Sequence, residues 1–169
     1  QAVCEPAHGS TMNYFFQQWV YQPGAPAYQV GWQNIEAGGQ KFIELYINQT
    51  QSASYPRYTM PMDVRMQPLV GGAAINRKIL NDAGTEYLLL PVPDTSSLTL
   101  DPDTWILATS LGYIGFPPDG PPKVVSMSPA VGSASVAAAV PAVSVTFHKN
   151  VNIAAGQLSL SGPSGSVPA

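Results

Sequence analysis

Six short β-rich runs separated by turn residues occupy the chain between residues 28 and 108, and they leave few folds open. The runs are 28–32, 41–49, 58–67, 74–80, 86–91 and 105–108. Between them fall Ala37-Gly38-Gly39, the stretch 51–56, Gly71-Gly72, Asn81-Asp82-Ala83-Gly84 and Pro93-Asp94-Thr95. Runs of this length at roughly ten-residue spacing, with no helical pattern among them, predict an antiparallel β-sandwich. One helix precedes them. Met12, Phe15, Phe16, Trp19 and Val20 have helical spacing, with Ser10 or Thr11 as the N-cap and Pro23-Gly24 as the stop. Helix periodicity then gives way to strand periodicity at Tyr28-Gln29-Val30-Gly31-Trp32, within about ten residues.

Alternation assigns the faces. In the run 41–49, Ile43, Leu45 and Ile47 point one way, and Phe42, Glu44, Tyr46 and Asn48 the other, so the aliphatic set is expected inward. In the next run Met60, Met62, Val64 and Met66 share a face opposed by Pro61, Asp63, Arg65 and Gln67. Pro61 has no amide hydrogen to donate, which predicts an edge strand or a bulge there. Phe16, Trp19, Tyr28 and Trp32 are expected to plug the join between helix and sandwich rather than to form a carbohydrate-stacking platform.

A boundary is expected where four prolines and a glycine crowd Phe116-Pro117-Pro118-Asp119-Gly120-Pro121-Pro122. Beyond it the composition turns to Ala, Val and Ser, with strands expected at 124–128, 143–148 and 157–161. The expected organisation is an N-terminal segment with a short helix over 1–24, a β-sandwich over 25–115, a Pro-rich linker over 116–122 and a partial β module over 123–169. Three strands in some 47 residues fall below what usually holds a sandwich together unaided.

Only 10% of the 169 residues are charged, against an ordinary figure of roughly 25%. With 45% hydrophobic residues the chain can build a core, and its surface must be neutral and polar, which fits an extracellular or cell-surface location. A net charge of -3 and seven scattered Lys and Arg residues give no basic stripe for nucleic acid. The apolar runs 87–92 and 136–145 are too short, or broken by Pro141, to span a bilayer. Gln1 reads as a processed or cut end. Cys4 is the single cysteine, so no internal disulfide can form; it is a lone thiol or pairs with another chain. Asn48-Gln49-Thr50 is a glycosylation sequon that matters only in a eukaryotic secretory pathway.

The stretch Phe15-Phe16-Gln17-Gln18-Trp19-Val20-Tyr21-Gln22-Pro23-Gly24-Ala25-Pro26 resembles the end of the catalytic part of M1-family zinc aminopeptidases, where a last helix leads into a β-sandwich. Gln17 stands in place of the family's usual acidic residue. Three further segments, Leu45-Tyr46-Ile47-Asn48-Gln49-Thr50-Gln51, Tyr58-Thr59-Met60-Pro61-Met62-Asp63-Val64 and Leu100-Asp101-Pro102-Asp103-Thr104-Trp105-Ile106-Leu107, resemble segments of that sandwich in the same order. The resemblance covers residues 12 to about 108. Residues 122–169 resemble the first half of a bacterial Ig-like module, carried by the stretches 123–132 and 143–151. The fold class expected is all-β: an antiparallel Ig-like β-sandwich with a short N-terminal helix, then a second, incomplete Ig-like β module.

The resemblance does not extend to the family's chemistry. Its zinc site needs a helical HExxH motif and a distant Glu, and this chain has neither. His8 and His148 lie in different expected parts, without acidic or cysteine partners at ligand spacing. There is no Gly-x-Ser-x-Gly elbow and no phosphate loop, and Cys4 has only His8 nearby as a base. Asp101 and Asp103 flank Pro102 and read as turn formers, two donors being too few for calcium. No catalytic residue, metal or cofactor is therefore assigned. The expectation is a non-catalytic accessory β-sandwich segment of a secreted M1-like metallopeptidase, partnered by an upstream catalytic part or by neighbouring copies of itself. The alternative is a subunit of an extracellular filament or surface assembly held by β-strand complementation. A weaker alternative is an adhesin or glycan-binding module using Trp32 or Trp105. Interface residues are expected at Cys4, Phe16, Trp19, Val143, Val145 and Phe147.

Overall fold

A computed structural model of the chain describes residues 11–118, 120–133, 142–154, 157, 160–162 and 165–167. The chain divides into two compact units, Gln1–Pro121 and Pro122–Ala169.

Among the described residues, the first unit is an all-β sandwich preceded by one short helix. That helix is a single α turn, α1 (Asn13–Phe16), widening at once into a π turn (Gln17–Tyr21). Thr11 Oγ1 accepts the Asn13 amide at 3.5 Å; the other expected cap, Ser10, lies outside the described residues. The stop falls where Pro23-Gly24 places it. Gly24 has φ +99 and lies under the Tyr55 ring, where an added Cβ would come within 2.5 Å of the ring carbon, so only glycine fits.

β1 (Ala27–Ala37) and β2 (Gln40–Gln49) form a long antiparallel hairpin from Tyr28↔Gln49 to Ala37↔Gln40. Gly38 and Gly39, at φ 59 and 72, supply the positive dihedrals that a tight two-residue turn requires. β3 (Met60–Pro68) and β4 (Ile75–Asn81) form a second hairpin; β5 (Thr85–Pro91) returns to pair with β2, and β6 (Thr95–Leu100) pairs with β3. With β7 (Ser110–Tyr113) the two sheets run β5-β2-β1-β7 and β4-β3-β6. One pair departs from the antiparallel expectation: β7 lies parallel to β1, from Ala27↔Ser110 to Val30↔Tyr113. The Tyr113 hydroxyl accepts the Leu100 amide at 2.8 Å and ties β7 back to β6.

The core lies between the sheets. Ile43, Leu45 and Ile47 are fully buried as their alternation requires, opposite Met62, Val64 and Met66, with Tyr28, Val30, Leu98 and Leu100 completing the cluster. Pro61 sits in the middle strand of its sheet, but β6 pairs with β3 only from Val64 onward, so the β6 side of Pro61 is a local edge. The bulge falls between Gln67 and Pro68 instead.

The outer face of β1, β2 and β5 is not left to solvent. Residues 114–118 and Gly120, including most of the stretch expected to be a Pro-rich linker, lie across it. Ile114 N donates to Val30 O at 2.8 Å, Phe116 packs edge-on against Tyr87 with ring centroids 6.1 Å apart, and Gly120 sits against Tyr87 and Glu44. Glu44, against which Gly120 lies, is buried, as is Phe42 on the same face, and Gln33 Nε2 donates to Glu44 Oε2 at 2.9 Å.

In the second unit β8 (Val124–Ser128) pairs antiparallel with β9 (Ser144–Phe147), and β10 (Leu160–Gly162) pairs with β11 (Gly165–Val167). Beyond the β8–β9 ladder, Lys123 N donates to His148 Nδ1 and His148 N to Lys123 O, at 2.8 and 3.0 Å. The strand expected over 157–161 is described only at 157 and from residue 160. Most of the apolar run 136–145 lies outside the described residues. Among those described, no helix is long and apolar enough to cross a membrane.

Candidate interaction surface

The stretch Leu100-Asp101-Pro102-Asp103-Thr104-Trp105-Ile106-Leu107 is a tightly fixed turn rather than the expected strand over 105–108. Leu100 ends β6 in the core, and Asp101 N donates to Asp63 O at 2.7 Å. Asp101 and Thr104 adopt φ 48 and 55, a conformation unfavourable for non-glycine residues. The Asp101 carboxylate stabilises it: Oδ1 accepts the Trp105 amide and Oδ2 the Ile106 amide, each at 2.9 Å. Arg65 on β3 holds the neighbouring Asp103 through an ion pair at 3.2 Å. Ile106 packs against the core, while Trp105 and Leu107 are each 77% exposed.

The helix comes to the same place by a different device. Gln18 is buried and behaves like one more strand residue: its Nε2 donates to Thr59 O at 2.7 Å, and its Oε1 accepts the Thr59 amide at 2.8 Å. Trp19 then packs at a tilt of 53° against Tyr58 with centroids 4.9 Å apart, and its indole N–H donates to the Met60 sulfur at 3.2 Å. Phe15, Trp19 and Val20 face Met60, Trp105, Ile106 and Leu107 across an open apolar groove of about 270 Å³.

Of the residues expected at an interface, Trp19 lines this groove. Phe16 is half-buried beside it, edge-on to Phe15 and 6.4 Å from the Tyr21 ring. Val145 and Phe147 are half-buried on β9 and Val143 is exposed just before it, all three in the second unit. Cys4 and His8 lie outside the described residues. Sequence reasoning placed Trp105 in a strand and passed over Val20 and Leu107. The turn-forming Asp101 and Asp103, read as such in the sequence, stand immediately ahead of Trp105 and are the signal against a strand there.

Burial pushes the Tyr28 hydroxyl well above the ordinary tyrosine range, with Tyr58 and Asp101 adding to the shift, so this phenol stays neutral. Among the described residues no three His, Cys, Asp or Glu side chains come together in a metal-sized group.

Because the turn depends on one carboxylate, Asp101→Ala should destabilise the first unit by about 2 kcal/mol, from two lost charge-assisted bonds and an alanine forced to positive φ. Asp101→Asn, which keeps one acceptor, should cost about half as much. Urea unfolding followed by tryptophan fluorescence measures both, and equal effects would show that the carboxylate does not hold the turn.

Comparison of the chain with protein-family profiles, with curated proteins and with solved structures finds no match in any of the three.

Proposed function

We propose that the chain is a non-catalytic scaffold, the accessory β-sandwich segment of a secreted M1-like metallopeptidase, whose helix-and-turn groove seats the part of the protein that precedes it. The observation that carries this reading is the pair Trp105 and Leu107, held out in solvent beside Trp19 by a turn that spends two unfavourable backbone conformations to place them. Exposed apolar side chains on a fixed frame are characteristic of a contact surface. The sparse charge supports placement outside the cell or at its surface.

Three measurements test it. The coding sequence upstream of Gln1 should continue in frame into a domain carrying HExxH, and an unrelated or absent upstream domain overturns the reading. The double variant W105A/L107A should fold with stability within about 0.5 kcal/mol of the parent, both side chains being mostly in water, yet lose binding to that upstream part supplied separately. Purified alone, the chain should not cleave aminoacyl reporters; robust zinc-dependent cleavage contradicts the proposal.

A second reading, assembly by strand complementation, is favoured by the β8–β9 ladder. Val145 and Phe147 share one side of a two-stranded sheet whose Val124 and Met127 are exposed, and two strands cannot bury an apolar face between them. Self-association in analytical ultracentrifugation that Val145→Pro removes and W105A/L107A leaves intact would favour this reading over the first.

A further inference from the structure

A second, smaller pocket lies behind the same turn, and nothing in the proposed scaffold role uses it. It encloses about 160 Å³ and is lined by Tyr28 from β1, Met62 and Leu100 from the second sheet, Ile106 and Ala108 from the turn, and Leu111 from β7. It reaches the surface where Leu111 and Thr104, both exposed, form part of its wall. Tyr28 is 1% exposed, and its hydroxyl has no hydrogen-bond partner among the described residues. A buried phenol is normally hydrogen-bonded, so its orphaned hydroxyl indicates a missing partner.

We propose that this pocket is a binding site for a small neutral molecule with a six-membered-ring-sized apolar body and a single oxygen, a phenol or a cyclic alcohol, whose oxygen bonds the Tyr28 hydroxyl. Size supports this, because a cavity of about 150 Å³ lined by aliphatic and aromatic side chains holds benzene. Polarity supports it too. Asp101 also borders the pocket, but both of its carboxylate oxygens are already engaged by the Trp105 and Ile106 amides, and the Thr104 hydroxyl donates to Asp103 O at 2.8 Å. One free hydroxyl is too few for a cluster of waters, each of which needs two to four polar partners. It suits one polar tip on an apolar body. The Asp101 charge beside Tyr28 excludes carboxylates and phosphates as ligands.

The full 169-residue chain would be titrated with phenol, benzene, cyclohexanol and benzoate, with amide and methyl chemical shifts and the thermal midpoint as readouts. Phenol and cyclohexanol should bind saturably, shift Met62, Leu100 and Leu111, and raise the midpoint. Benzene should bind about fivefold more weakly than phenol for want of one hydrogen bond, and benzoate should not bind. Tyr28→Phe should erase the preference for phenol over benzene while unfolding no earlier than the parent in ligand-free buffer. Ala108→Leu and Leu111→Trp, which fill the pocket from two sides, should each abolish binding in a chain that still unfolds cooperatively. Saturable binding that either filled variant retains, an unchanged phenol preference in Tyr28→Phe, or no shift at Leu111 with 10-millimolar-scale phenol overturns the proposal. So does a lowered ligand-free midpoint in Tyr28→Phe, since it means that an internal water already satisfies the hydroxyl.

Discussion

Gln49→Leu should cost the sandwich about 3 kcal/mol or more, a large share of the total stability of a domain this size. Gln49 ends β2, and its amide joins the two sheets: Nε2 donates to Tyr58 O at 2.6 Å and Asn81 Oδ1 at 2.8 Å, and Oε1 accepts the Tyr58 amide at 2.8 Å and Gln51 Nε2 at 3.0 Å. Asn81, fully buried at the end of β4, passes the connection on to Glu86 Oε2 at 2.7 Å. Gln51 closes the loop by donating to Pro56 O at 3.0 Å. Leucine has nearly the volume of glutamine but satisfies none of these groups, leaving the Tyr58 amide and the Asn81 Oδ1 without the Gln49 partner in a buried setting, and leaving such groups unmade is the expensive outcome. The neighbouring Asn48 is the control. Among the described residues it accepts only the Thr85 hydroxyl, at an exposed position, so Asn48→Ala should cost less than about 1 kcal/mol. Chemical denaturation of the two variants side by side decides the matter, and comparable losses would show that the network carries no special weight.

Gly31→Val should be damaging for a steric reason. Gly31 is buried in β1 under the segment 114–118, and a Cβ there would lie 3.1 Å from both Gly115 O and the Phe116 Cα, and 3.3 Å from the Pro117 Cδ. Two of these atoms are backbone and cannot rotate away, so the segment must lift. The overpacking is worth about 2 to 3 kcal/mol, and lifting the segment uncovers Tyr87 and Glu44. Hydrogen exchange gives a local readout, because the Ile114 amide bonded to Val30 O should lose its protection in the valine variant while core amides of β2 keep theirs. An Ile114 amide as protected as in the parent would show that the segment accommodates the side chain.

Both predictions concern features that the sequence concealed. Ile43, Leu45, Ile47, Met62, Val64 and Met66 were legible because a sheet with one buried face writes a period of two into its residues. The helix was legible because Pro23-Gly24 punctuates it. β6 was missed because Thr95-Ser96-Ser97 reads as turn chemistry, and only its pairing with β3, by which Thr95, Leu98 and Leu100 become buried, makes it a strand. The stretch 116–122 reads as a linker because Pro and Gly mark chain that forms no ladder, and those same residue types let Phe116, Pro117 and Gly120 lie flat on a neighbouring sheet. The groove was half legible: aromatic spacing pointed to Trp19, whereas the exposure of Trp105 depends on where one carboxylate finds its amides, which no periodicity records. Gln49 and Gln51 stood in a quoted pattern without a reason; a polar residue at the end of a strand gives no hint of its partners 9 and 32 positions away.

The parallel pairing of β7 with β1 also fixes the order in which the fold can be completed. Every other strand of the first unit finds a partner within a hairpin or a few turns, but Ala27 meets Ser110 only after more than eighty residues have intervened. Until then one edge of β1 has bare amides and carbonyls, and the pocket behind Tyr28 lacks its Leu111 wall. A nascent chain made from the N-terminus would therefore hold a nearly finished sandwich with an open, sticky side until its last strand emerged. Contacts of such long sequence separation form slowly and are exposed to misassociation. For this chain, aggregation during synthesis should be governed by the arrival of four residues, Ser110 to Tyr113, more than by the quality of its core.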